Sequence, residues 1–106
     1  ESLCSVTRYY QSGVKEREGT YKARKNGEVN WDIPHGNFRF YESDGRLKKE
    51  GVFVNGEKDG IHIFYEPSGE KLKVKYSKNI PETFEKYDRS GNLISQGNSF
   101  EDGSIK

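Results

Sequence analysis

The chain has 106 residues, enough for one domain, with 30% hydrophobic and 33% charged residues. That excludes the thick two-layer core of an ordinary compact domain, which needs about 45–50% apolar residues. Its 18 basic and 17 acidic side chains leave a net charge of +1, which neither gathers nucleic acid nor mimics it.

Seven tyrosines, six phenylalanines and one tryptophan argue against simple disorder. A thin sheet faced with aromatic rings reconciles that content with the scarcity of aliphatic residues. The one cysteine, Cys4, has no internal disulfide partner and is read as a free thiol or a lipidation site. Glu1-Ser2-Leu3 is a poor match to a lipoprotein cleavage box. No stretch approaches the ~20 apolar residues that span a bilayer, and no signal peptide is visible. The absence of methionine, including at residue 1, reads as a trimmed fragment or a processed product.

In chain order, residues 1–5 read as a tail. Val6 to Tyr10 is a first strand closed by Gln11-Ser12-Gly13, and Val14 to Ala23 is its return strand. Arg24 to Trp31 is an extended connection or an extra hairpin around Asn26-Gly27, and Pro34 blocks continuation of a central strand. Asn37 to Glu42 and Leu47 to Val54 are strands on either side of Ser43-Asp44-Gly45. Asn55-Gly56 is a tight hairpin turn, because both residues accept positive φ. Ile61 to Tyr65 is the next strand. Lys71 to Tyr76 alternates with period two, which sends Leu72, Val74 and Tyr76 one way and Lys71, Lys73 and Lys75 the other. Residues 77–81 read as a turn region, Thr83 to Tyr87 and Leu93 to Gln96 as a last hairpin, and residues 98–106 as a short strand or frayed end. Twelve glycines and no amphipathic period disfavour helix.

These elements repeat. A tyrosine stands four residues before a glycine at Tyr9/Gly13, Tyr41/Gly45, Tyr65/Gly69 and Tyr87/Gly91. Six residues after the turn glycine comes a second glycine, Gly19, Gly51 or Gly97, with Lys75 in the third unit. A further turn follows at Asn26-Gly27, Asn55-Gly56 and Asp102-Gly103, with Asn79-Ile80-Pro81 in the third unit. A recurring period of this length marks stacked supersecondary units. The expected architecture is all-β: a single-layer twisted antiparallel sheet of tandem β-hairpins. It comprises one domain over residues 6–106, with units at about 6–34, 35–60, 61–82 and 83–106.

The frame carried by Tyr41, Gly45, Leu47, Glu50, Gly51, Phe53, Asn55, Gly56 and Gly60 resembles the MORN-like repeat in its bacterial variant, typical of YwqK-like antitoxin proteins. Later units keep Tyr65, Gly69 and Leu72, then Tyr87, Gly91, Leu93 and Gly97, while the first departs through an insertion around Lys22 to Trp31. The resemblance implies a protein that neutralises a bacterial toxin or effector by direct binding. It places the protein in the bacterial cytoplasm, or in the periplasm or outside the cell if residue 1 is a processed end.

The residues themselves argue against catalysis. There is no nucleophile elbow and no phosphate loop, and the glycines are spaced as turn punctuation. His35 precedes Gly36 at a unit boundary and reads as a turn position. His62 stands where Phe38 stands one unit earlier and reads as a surface or packing variant. Neither has ligands at metal spacing, so no metal and no cofactor are expected. Glu42, Glu66 and Asp88 read as the first residues of exposed turns.

The tyrosines at 41, 65 and 87 should align across units, with Phe40 and Phe64 facing the opposite side. One row forms the core while the other is an exposed stripe, or both pack between repeats. The expected partner-binding residues are Trp31, Arg39, Tyr41, Phe64, Tyr65 and Tyr87, with Phe53 a further candidate. Lys71, Lys73, Lys75 and Lys78 are a solvated face or, alternatively, a contact for anionic lipid. A protein partner is expected, with no nucleic acid; the alternatives are a membrane- or envelope-associated scaffold that binds anionic lipid, with membrane contact the lesser expectation, or an accessory repeat domain of a longer chain.

Overall fold

The computed structural model describes residues 2–98. The expected turn at Asp102-Gly103 and the final strand or frayed end fall on residues 99–106, outside the described residues, except for Asn98. The described residues form one open antiparallel sheet with no helix. Its strands are β1 (Leu3–Tyr9), β2 (Lys15–Ala23), β3 (Val29–Pro34), β4 (Gly36–Tyr41), β5 (Leu47–Val54), β6 (Glu57–Tyr65), β7 (Lys71–Ser77), β8 (Ile80–Tyr87) and β9 (Leu93–Gly97). Neighbours in the sheet run β1-β2-β4-β5-β6-β7-β8-β9, and β3 pairs with β2 beside β4. Sequence order is therefore spatial order, as stacked hairpins require.

Several expectations need correction. β1 begins at Leu3, inside the stretch read as a tail. Of the two alternatives for the insertion, the extra hairpin around Asn26-Gly27 is the one formed: β2–β3, closed by Arg24 to Glu28 with Gly27 at φ 89°. Pro34 does not break the sheet. It ends β3 opposite Tyr21, and His35 N–H bonds to Thr20 O at 2.8 Å, so β3 and β4 follow one another along β2. The kink between them falls at Gly36, φ 124°, a conformation that L side chains rarely adopt. The third unit's turn is Lys78-Asn79, both at positive φ, with Ile80 and Pro81 already in β8. β6 starts directly after Asn55-Gly56, four residues earlier than expected.

The four turns after the repeating tyrosines share one geometry. At Glu42 to Arg46, for example, Glu42 N–H bonds to Arg46 O at 2.7 Å, Gly45 N–H bonds to Glu42 O at 2.9 Å, and Gly45 takes φ 93°. Turns at the other end are tied to their neighbours. Asn55 N–H donates to His35 Nδ1 at 3.0 Å and Gly56 N–H to Pro34 O at 2.9 Å. Asn79 N–H donates to Lys58 O at 2.9 Å, and Lys58 N–H to Asn79 Oδ1 at 2.7 Å.

The modest core lies on one face of the sheet, here called the ring face. Its buried side chains are Tyr21, Phe38, His62, Val74 and Tyr76. Edge-to-face contacts at 5.1–5.3 Å between centroids link Trp31, Tyr21, Phe38, Phe53, His62 and Tyr76 in sequence across the strands. Such pairs add about 0.5–1.5 kcal/mol each beyond their area burial.

The second glycine of the first, second and fourth units makes room for a ring on this face. A Cβ at Gly19 would lie 2.3 Å from the Phe38 ring, one at Gly51 2.2 Å from His62, and one at Gly97 2.5 Å from Phe84. Each glycine thus lets a ring from the adjacent strand lie flat on the backbone. In the third unit the expected equivalent was Lys75, but pairing puts Val74 opposite His62. The register shifts between Arg8 and Tyr9, Phe40 and Tyr41, and Lys86 and Tyr87 have no counterpart in β6–β7, so that unit is one residue shorter. Leu72 therefore does not occupy the position of Leu47: Leu47 is opposite Tyr41, while Lys71 is opposite Tyr65.

Candidate functional site

The other face, called the polar face, carries Thr7, Glu18, Arg39, Glu50, Ile63, Lys73, Glu85 and Gln96 in one cross-strand row. Strand alternation puts them there, because each is one residue away from a member of the ring-face row. Arg39 lies directly opposite both Glu18 and Glu50, with its Nε 3.4 Å from Glu50 Oε1.

Two tyrosines lock onto this row. Tyr41 O–H donates to Glu18 Oε2 at 2.5 Å, and Tyr65 O–H donates to Glu50 Oε2 at 2.5 Å. In both cases the glutamate immediately precedes the ring-seating glycine of the preceding unit. The tyrosine lies two residues beyond the one paired with that glutamate. Repeat-to-repeat coupling therefore has two parts, a ring over glycine on one face and a tyrosine hydroxyl on glutamate on the other.

The coupling changes at the third junction. Val74 replaces the glycine, and Lys73 stands where the preceding units have glutamate. Tyr87 O–H donates instead to Glu85 on its own strand at 2.8 Å. The Lys71 and Lys73 ammonium groups lie 5.6 and 5.4 Å from the Tyr87 ring centre.

The electrostatics follow the hydrogen bonds. The bond from Tyr41, and then the Lys15 contact, hold Glu18 below the usual carboxylate range. Tyr41 is raised chiefly by Glu18. Tyr65 is pushed up to about 12, first by burial and then by Glu50. On the ring face, burial pushes the His62 imidazole down. Its Nε2–H donates to Val52 O at 2.7 Å, so the ring packs as a neutral substitute for phenylalanine.

An open depression of about 610 Å³ lies on the polar face beside Arg39. Its walls include Thr7, Thr20, Asn37 and Glu18, with Ile61 and Ile63 as its apolar side. Hydroxyl, amide, charged and apolar groups thus share one shallow surface.

The structure divides the expected partner-binding set. Arg39, Tyr41, Tyr65 and Tyr87 share the polar face. Trp31 and Phe64 belong to the ring face, where Trp31 packs against Tyr21 and Phe64 pairs with Lys49 and Leu72. Phe53 is also a ring-face residue, held between Phe38 and His62. The tyrosine row is not a free exposed stripe, because Tyr41, Tyr65 and Tyr87 each bond a carboxylate. Nor do Phe40 and Phe64 form the core by themselves; Phe38, His62 and Val74 lie at its centre.

Glu18 and Glu50 were missed by the sequence reading, although the recurring Glu-Gly dipeptide was their signal. His62 is buried rather than a surface variant. Lys75 is exposed, while Lys71 and Lys73 are half-buried. Among the described residues no three His, Cys, Asp or Glu side chains cluster to hold a metal ion, and no helix could cross a membrane.

No curated protein matches the chain. Residues 5–23 and 34–55 match the family model of the MORN repeat variant. These stretches contain β2 and β5, the strands that bear Glu18-Gly19 and Glu50-Gly51. Over them the chain is similar to MORN repeats, and its sheet of successive hairpins is a MORN-like repeat architecture.

Proposed function

We propose that the chain is a non-catalytic protein-binding module whose polar face, around Arg39, Tyr41 and Tyr65, meets the partner. The observation that carries this reading is the clamping of the tyrosines. With their hydroxyls held by Glu18 and Glu50, they offer ring surface whose ordering cost is already met by the fold. Arg39 is exposed between the two carboxylates and beside the depression, the position of a charged anchor. The resemblance to antitoxin proteins extends this reading to a toxin or effector as the partner.

The test is a pull-down with the folded chain as bait, run beside Arg39→Ala. One dominant protein that survives a high-salt wash and is lost with Arg39→Ala supports the reading, and a toxin among the captures supports its antitoxin form. Capture unaffected by Arg39→Ala overturns the assignment of this face.

Lipid binding through Lys71, Lys73 and Lys75 is the second reading, favoured by exposed Lys75. It predicts salt-sensitive binding to anionic liposomes that is lost when the three become Glu. The position of the Lys71 and Lys73 ammonium groups over the Tyr87 ring counts against it, since that contact already engages two of the charges.

A further inference from the structure

The coupling between units has two halves, and each edge of the described sheet carries one half without the other. At every internal junction the residue two before the repeating tyrosine pairs with the residue that precedes the ring-seating glycine or its substitute. Arg39 faces Glu18, Ile63 faces Glu50, and Glu85 faces Lys73.

Tyr9 closes β1, which has no strand before it among the described residues. It is 58% exposed, and no hydrogen bond is formed by its hydroxyl among the described residues. At the other edge, β9 ends in Gln96-Gly97, the counterpart of Glu18-Gly19 and Glu50-Gly51, with no following strand among the described residues. One edge therefore presents the tyrosine and the other its acceptor.

The two edge strands also differ in composition from the rest of the molecule. The seven residues of β1 and the five of β9 include one charged side chain, Arg8, in a chain that is 33% charged. Neither strand contains proline. Charge and proline are the usual protection of an open edge against pairing, and both are nearly absent here. Leu3, Tyr9, Leu93 and Ile94 make up half of the exposed large apolar side chains among the described residues. Strand direction alternates along the eight-strand path, so β1 and β9 run in opposite senses. A second copy placed in the same orientation thus brings its β9 antiparallel to β1.

We propose that copies of this chain associate head to tail, β1 of one against β9 of the next, continuing the repeat register across the boundary. Thr7 then faces Gln96, Val6 faces Gly97 and Arg8 faces Ser95, while the Tyr9 hydroxyl donates to the Gln96 side chain. The interface is heterologous, so it extends as an open array instead of closing at two copies. It uses the outer strands and does not involve Arg39, Tyr41 or Tyr65, so it does not depend on the protein-binding reading.

Light scattering on the purified chain over a range of concentrations tests this. The expected result is an average mass that starts at 12.2 kDa and rises with concentration past twice that value. Thr7 and Gln96 are both exposed, so charges are introduced there without disturbing the core. The double variant Thr7→Lys with Gln96→Lys sets like charges opposite each other and should remain monomeric. Thr7→Lys with Gln96→Glu makes the boundary an ion pair and should restore association. Circular dichroism verifies that each variant is folded. A wild-type mass of one chain at every concentration overturns the proposal, as does a mass that saturates at two, or association unchanged in the double-lysine variant.

Discussion

The first two junctions of the sheet and the third solve one packing problem in different ways. Where β4 meets β2 and β6 meets β5, a glycine admits the neighbouring ring, and the adjacent glutamate takes a tyrosine hydroxyl from the next unit. Where β8 meets β7, Val74 fills the space itself, Lys73 replaces the glutamate, and the tyrosine turns to its own strand. The difference traces to one residue. Without the bulge after its turn, the third unit brings an apolar side chain to the row where its neighbours bring glycine. A repeat can therefore exchange contact between units for contact within a unit and keep its place in the strand order.

The largest way to break this comparison is to fill a glycine. Gly51→Val places its Cβ 2.2 Å from the His62 ring and should destabilise by about 3 kcal/mol or prevent folding, since overpacking typically costs ~1–3 kcal/mol and sometimes more. The reverse change, Val74→Gly, leaves a void and a freer backbone and should cost about 2–3 kcal/mol. Urea unfolding midpoints compare the two. A small effect at Gly51 beside a large one at Val74 would mean that ring-on-glycine seating is not what holds the earlier junctions.

A second set addresses the hydroxyls. Tyr65→Phe removes a bond between units and leaves Glu50 Oε2 without its donor while Oε1 keeps Arg39, at a cost of about 1–2 kcal/mol. Tyr87→Phe removes a bond within one strand and should cost less than about 0.5 kcal/mol, since surface changes usually do. Equal losses would remove the distinction. Copying the first junction onto the third, by Lys73→Glu with Glu85→Arg, should be close to neutral. Lys73→Glu alone is worse, because it opposes Glu85 directly.

Proton linkage gives smaller signals. Tyr65 is raised above its ordinary value of 10.0 to about 12, so its contribution to stability is complete below pH 10 and is lost as pH rises through about 12. Tyr65→Phe should flatten that part of a stability profile. His62 is depressed by burial, so its contribution is present above its ordinary 6.5 and is lost as pH falls through the lower folded value. His62→Phe, which copies Phe38, should flatten the acid side. A thermal midpoint followed from pH about 7 down to about 5 reads this directly, and an unchanged slope would contradict the neutral buried imidazole.

Much of the fold was legible because turn glycines have a conformational cause. Gly13, Gly45, Gly69 and Gly91 all take positive φ, and the tyrosine four residues earlier fixes where each strand ends. The slip in the third unit was not legible from its turn, since Glu66 to Glu70 makes the same hydrogen bonds as the other turns. The period-two pattern of Lys71 to Tyr76 did carry the correct faces, and counting from Gly69 to Lys75 obscured what that pattern implied. The polar face was half legible. Arg39 and the tyrosines were identified, but a half-buried tyrosine needs an acceptor, and that requirement would have led to Glu18 and Glu50. Phe64 was expected on the face opposite the tyrosines and lies there, whereas aromatic type alone does not tell which face Trp31 joins until register is known.

The hairpin succession also has a mechanical consequence. β1 and β9 lie at opposite edges of the sheet, and the strands between them follow in chain order. A force that draws those two strands apart across the sheet loads one ladder at a time, peeling strands in turn instead of shearing them together. The molecule should therefore yield at low tension and lengthen in steps. The tied turns at Asn55-Gly56 and Lys78-Asn79 would act as latches that set where each step pauses.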